Sequence, residues 1–180
     1  TKREVLKKRD ELTISLLVYQ ALTVSEIIEL KINDVNLNEG TIRIKPHIKQ
    51  KERTLALKAS QVMLLYNYIN NTRKELVRRS KAPSNTLILT QSGEQLHTNA
   101  INKIINHRRP KHEKLLPIKI RQSVIHYLLK KENDLRIVQV FAGHRRAGTT
   151  EEYKQTGLEE LKILIQKLHP LEIITQKNEK

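Results

Sequence analysis

Leu12, Leu16 and Tyr19 recur at intervals of four and three, which predicts a helix reaching about Ala21 with its second half turned toward a core. Thr23 followed by Glu26 has the capping-box spacing, in which hydroxyl and carboxylate each take the other residue's backbone amide, so a short helix should run from Val24 to about Leu30. From Val35 the period drops to two. Asn38-Glu39-Gly40 reads as a turn, Thr41–Lys45 as a strand and Arg53–Leu57 as its return, with a basic hairpin tip between them. Val62, Leu65, Tyr66, Ile69 and Leu76 share one face of a long helix that ends before Pro83. Leu87–Thr90 reads as a short strand, and Thr98 as the cap of a helix carrying Ile101, Ile104 and Ile105. A helix from about Lys119 to Lys131 is apolar at Ile120, Val124, Leu128 and Leu129. Asp134 caps the next, which carries Leu135, Val138 and Phe141 and stops at Gly143. Leu158, Leu161, Ile165 and Leu168 mark a last amphipathic helix before Pro170 and a polar tail.

The chain has 180 residues, within the size of one domain able to bury its own core. Lys and Arg number 34 against 19 Asp and Glu, a formal charge of +15, and so large an excess points to a polyanionic partner. The absence of Cys removes disulfides, thiolate nucleophiles and Cys-ligated metals. No apolar run is long enough for a membrane span, and His97, His107, His112, His126 and His169 show no metal-ligand spacing, so neither a membrane nor a metal or cofactor is assigned. The mixed-charge opening, residues 1–10, reads as a linker from a missing upstream domain, residues 11–172 as the folded unit and residues 173–180 as tail.

One constellation carries chemistry. Arg121-Gln122-Ser123 is followed by Asp134-Leu135-Arg136-Ile137-Val138-Gln139, then Ala142-Gly143-His144, then Thr149-Thr150-Glu151-Glu152-Tyr153, with nine residues from His144 to Tyr153. This resembles the catalytic half of the tyrosine recombinases, the phage integrase and chromosome-dimer-resolving family. Ala21-Leu22-Thr23-Val24-Ser25-Glu26 is similar to that family's first box, which normally reads Gly-Leu-Arg, and Lys49-Gln50-Lys51-Glu52-Arg53 to its lysine hairpin. The resemblance implies an α+β, mainly helical fold around a small three-stranded antiparallel sheet, with a DNA-clamping domain upstream. It also implies duplex DNA as partner, assembly into a tetramer on that DNA with exchange of C-terminal helices, and a cytoplasmic setting in a mobile element or its host.

The residue types suit phosphodiester chemistry. A phenolate attacking phosphorus builds charge on the phosphoryl oxygens, which a preorganised guanidinium at Arg121 and an imidazole N–H at His144 would balance. Tyr153 is then the nucleophile, and a hairpin Lys protonates the departing 5′ oxygen. Lys49 is assigned that role with Lys45 and Lys51 behind it, since counting back from Arg53 falls on Lys49 or on Ile48. Lys45, Lys51, Arg53, Lys119, Arg145 and Arg146 are expected to touch DNA. Two positions depart from the pattern: Thr23 stands for the family's first Arg, and Ile118 for a His or Lys three residues before Arg121. Thr23 reads more simply as a helix cap. These departures keep open a second reading, a recombinase-like DNA-binding protein without strand exchange.

Overall fold

The computed structural model describes residues 2–48, 50–80, 82, 84–131 and 134–155, with residues 2 and 153–155 as backbone. The helix predicted to end near Ala21 is α1, Lys2–Gln20. Residues 2–10, assigned above to a linker, are its first turns: they contain neither Gly nor Pro and are rich in Lys, Arg and Glu, which favour helix. The helix breaks at Ala21, whose φ of 50° is left-handed, at the position where the family box has Gly.

The capping box holds. α2, Val24–Glu29, starts with Thr23 Oγ1 accepting the Glu26 N–H at 3.2 Å, while the Glu26 carboxylate accepts the Thr23 N–H at 2.8 Å. The three-stranded sheet consists of β1 (Val35–Asn36), β2 (Thr41–Ile44) and β3 (Arg53–Ala56), antiparallel in that order, with Ile42 opposite Leu55 and Ile44 opposite Arg53. Alternation puts Ile42, Ile44, Arg53 and Leu55 on one buried face.

The long helix is interrupted. α3 (Ala59–Asn67) passes through a wider π-type turn at Tyr68–Thr72 into α4 (Arg73–Val77). Within the turn the Asn70 amide side chain donates to the Tyr66 carbonyl at 3.1 Å, competing for the acceptor that the Asn70 backbone N–H would take in an α-helix. Arg73, the first residue beyond, sends its guanidinium to the carbonyls of Ser84 at 2.6 Å and Thr86 at 2.9 Å. The Leu87–Thr90 run is not a ladder strand. Its residues 87–89 are fully buried, but Leu87 N–H bonds Leu30 while Leu89 bridges Gln95, so no single neighbour pairs along its length.

α5 (Thr98–Ile105) begins one residue earlier than a Thr98 cap would allow, with His97 at its N-cap position. α6 (Pro117–Lys130) starts with Pro, whose fixed φ suits a first helical position. α7 (Leu135–Ala142) is capped as predicted, the Asp134 carboxylate accepting the Arg136 N–H at 2.6 Å, and α8 (Ala147–Gln155) closes the described part. The Leu158–Leu168 stripe and the tail lie outside the described residues. The main core joins Leu12, Leu16, Leu17, Ile27, Ile42, Leu65, Ile88, Ile101 and Ile120; a smaller cluster of Ile125, Val138 and Ala142 seats α7 on α6. No helix among the described residues is long and apolar enough to cross a membrane.

Candidate active site

Gly143 ends α7 in the left-handed region, φ 70°, with its N–H on the Val140 carbonyl at 3.0 Å and the His144 N–H on the Gln139 carbonyl at 3.1 Å. These two bonds form a Schellman closure, which reverses the chain and aims His144 back toward α6. The fifth residue of α6 is Arg121, on the buried side with Ile120. Arg121, 2% exposed, therefore meets His144, 5% exposed, with 3.1 Å between its Nη2 and the imidazole Nε2. The same Nη2 donates to the Ala142 carbonyl at 2.6 Å, and Nη1 donates to the carbonyl of Ala21. The left-handed turn at Ala21 and the end of α7 thus both contribute acceptors to one guanidinium.

The other imidazole nitrogen, Nδ1, lies 2.9 Å from Oγ1 of Thr150, a fully buried residue of α8. Position 153 follows three residues later on that helix, about 4.5 Å along its axis. Burial, then the charges of Arg121 and Arg53, pull the His144 pKa down to about 4 against a partial counter-effect of Glu26, so the ring is neutral at pH 7.

Arg53 is a correction to the expected DNA contacts. It is 5% exposed and points inward: its Nη1 lies 2.6 Å and its Nη2 3.2 Å from the two Glu26 carboxylate oxygens, and its Nε donates to the Phe141 carbonyl at 2.8 Å. Burial alone would raise the Glu26 pKa, but the Arg53 hydrogen bond and charge, the Thr23 amide and Arg121 outweigh it and hold the carboxyl below its ordinary value. The signal was present in the sequence: Arg53 stands two residues from Leu55 in a period-two strand and so shares its inward face. Glu26 and Thr150 were likewise given no place in the site. Glu26 sat in a capping box, which accounted for it, and no periodicity announces a side chain that meets its partner across the fold.

The hairpin lies against the His144 turn. Lys51 N–H donates to the Gly143 carbonyl at 2.8 Å, Gln50 bridges His144, and the Arg145 guanidinium reaches the His47 carbonyl at 3.3 Å. His47 and Gln50 exchange both amide bonds at the tip, leaving Ile48 81% exposed. Lys45, Lys51, Lys119, Arg145 and Arg146 are exposed, with Lys45 3.5 Å from Asp34. Lys49, the assigned general acid, lies outside the described residues. Thr23 is half-buried as a cap, and Ile118 is 47% exposed at the start of α6. In the cluster of Glu26, Arg53, Arg121 and the neutral His144, the one carboxylate is paired with Arg53, and the Arg121 charge acts on it as well. That cluster carries a net positive charge in a partly water-excluded setting, where an anion is strongly favoured.

Comparison with known proteins identifies the family and the fold. The model of the phage integrase family matches residues 1–159. Tyrosine recombinase XerD of Staphylococcus haemolyticus is 32% identical over 165 residues, covering 90% of this chain and 55% of the relative. Tyrosine recombinase XerC of Pelotomaculum thermopropionicum is 31% identical over 173 residues, covering 93% and 56%. The chain thus spans about half the length of the curated relatives it matches. Among solved structures, the XerH site-specific recombinase bound to difH substrate in a pre-cleavage complex aligns with a TM-score of 0.68 and 27% identity, over 89% of this chain and 47% of that one. XerA recombinase aligns with a TM-score of 0.70 at 21% identity, over 94% and 61%, and so shows the fold.

Proposed function

The chain belongs to the phage integrase family, and from that premise we propose that it is the catalytic half of a site-specific DNA recombinase, which cleaves and rejoins duplex DNA through Tyr153. In this reading the Tyr153 phenolate oxygen attacks a backbone phosphorus, a bond to the tyrosine forms, and the bond to the 5′ oxygen breaks. The departing oxygen takes a proton from a hairpin Lys, Lys49 in our assignment. The 3′-phosphotyrosine keeps the phosphodiester linkage, so attack by a new 5′ hydroxyl reseals the strand. Arg121 supplies forked donors to the phosphoryl oxygens, and His144 sits against it. Exposed Lys45, Lys51, Lys119, Arg145 and Arg146 hold flanking phosphates. Four copies on paired duplexes, linked by the segment 158–168, would complete the exchange. Residues 11–172, together with the first turns of α1, form the catalytic unit in this reading, working where the DNA is kept, which in a bacterium is the cytoplasm.

The observation that carries the reading is the meeting, at 3.1 Å, of Arg121 on α6 and His144 in the turn after α7, 23 residues apart in the chain, on a framework that also holds the helix bearing Tyr153. The competing reading, a DNA-binding protein without strand exchange, rests on Thr23 and Ile118 alone, each of which stands in place of a group that would act on the phosphate or the phenol. A nicked suicide substrate carrying the protein's own site decides between them. The expected outcome is a slow covalent protein–DNA adduct, abolished in Tyr153→Phe and lowered about a hundredfold or more in Arg121→Ala. No adduct on an authenticated site would establish the DNA-binding alternative, and an adduct persisting in Tyr153→Phe would move the nucleophile elsewhere.

A further inference from the structure

Thr150 has no role in the chemistry outlined above, although it is fully buried with its hydroxyl 2.9 Å from the imidazole of His144. The two nitrogens of that ring are not equivalent. Nε2 faces Nη2 of Arg121 at 3.1 Å, and a guanidinium nitrogen only donates. Nε2 must therefore offer its lone pair, which places the single proton of the neutral ring on Nδ1, where the Thr150 oxygen is in position to accept it. The hydroxyl comes from α8, the helix on which position 153 follows three residues later, whereas Arg121 comes from α6.

We propose that Thr150 is a positioning residue: its hydroxyl oxygen holds the proton of His144 on Nδ1, so that Nε2 engages the Arg121 guanidinium only while the helix carrying Tyr153 is docked. This rests on the reading of Tyr153 as nucleophile but adds a different element, a bond through which the placement of that helix is communicated to the phosphate-binding Arg. With α8 docked, the partners that hold Arg121 include the carbonyls of Ala21 and Ala142 and the lone pair of His144. With α8 displaced, Nδ1–H loses its acceptor, the other tautomer becomes competitive, and Nε2–H would then point at a cation's own N–H groups. The Arg121–His144 contact turns repulsive and the guanidinium loses its alignment. The bond also serves a protonated ring. A phosphate arriving at Arg121 favours imidazolium, and Nδ1–H can keep Thr150 as its acceptor while Nε2–H turns to a phosphoryl oxygen.

The test reads the tautomer directly. In the uniformly 15N-labelled full chain at pH 7, with the His144 resonances assigned by their loss in His144→Gln, two-bond 1H–15N correlation is expected to show a protonated Nδ1 and an unprotonated Nε2. Thr150→Val, which keeps shape and removes the oxygen, should mix or invert that signature and slow adduct formation on the suicide substrate by about tenfold or more. Thr150→Ser should restore both. A wild-type ring protonated on Nε2 overturns the proposal, as does an unchanged signature in Thr150→Val, or a Thr150→Ser that behaves like Thr150→Val. If Thr150→Val does not fold, the wild-type and Thr150→Ser spectra still decide it. Should the wild type form no adduct at all, the recombinase reading fails, while the spectra judge the Thr150–His144 bond separately.

Discussion

A Cβ built on Gly143 falls 2.6 Å from Arg53 Nη1 and 3.0 Å from its Cζ, and the backbone there has a φ of 70°. Arg53 cannot yield cheaply, because both its ends are held, by the Glu26 carboxylate and by the Phe141 carbonyl. Gly143→Ala therefore combines left-handed strain with displacement of a buried ion pair, and the expected loss is about 2–4 kcal/mol in urea-unfolding stability. A variant within about 0.5 kcal/mol of wild type would mean that the close approach is absent. His144 makes a prediction of opposite chemical origin. Its folded pKa of about 4 lies below the ordinary 6.5, so as pH falls through 6.5 the unfolded chain takes up a proton that the folded chain refuses. The neutral ring's contribution is complete above pH 6.5, declines toward pH 4 and is constant below. Between pH 7 and pH 5 the wild type should lose about 2 kcal/mol more than His144→Gln, measured as paired urea midpoints. Parallel pH dependences would show that His144 is not held neutral.

The Glu26–Arg53 pair joins three elements: α2 through the capping box, β3 through its inward face, and the end of α7 through the Phe141 carbonyl. Both side chains are 2% exposed, so removing one leaves the other charged and dry. Glu26→Gln is expected to cost about 3–5 kcal/mol, while the double variant Glu26→Leu with Arg53→Met should recover a substantial part of that loss. Additive losses would indicate that the pair is not coupled. At this same scale, capping boxes, the hairpin and the glycine stop of α7 were legible because each depends on residues within a few positions of one another. The π-type turn was not, because the apolar period runs through it unbroken while a single amide at Asn70 diverts the backbone ladder. Nor was the fate of Leu87–Thr90, which is apolar enough for a strand yet is bonded to two different partners at its two ends.

With a formal charge of +15 and exposed cations on the hairpin, the start of α6 and the turn after His144, the whole molecule is suited to a polyanion. If it engages about six phosphates, the logarithm of its affinity for duplex DNA should fall against the logarithm of salt concentration with a slope of about −5. Replacing Lys51 with Ala should flatten that slope by about one, whereas Arg53→Ala should leave the slope alone and lower stability, since Arg53 does not face solvent. A salt-independent affinity, or an Arg53 variant that folds normally and loses a phosphate contact, would contradict this division of the basic residues.

Local chemistry therefore decided much in advance. Helix starts, the strand pairing, the charge excess and the spacing from His144 to Tyr153 all follow from side chains acting on their own segment of backbone, and those are readable along a line. What that line did not contain is which polar groups meet inside. Arg53, Glu26, Arg121 and Thr150 belong to β3, α2, α6 and α8, and although the period of β3 already turns Arg53 inward, no local pattern names the partner that any of the four will find. Packing removes water from all four together, and only then does Arg53 pair with Glu26, the imidazole become neutral and its proton acquire a definite nitrogen. Desolvation and direction are properties of neighbours brought in by the fold, so they arise only with tertiary contact.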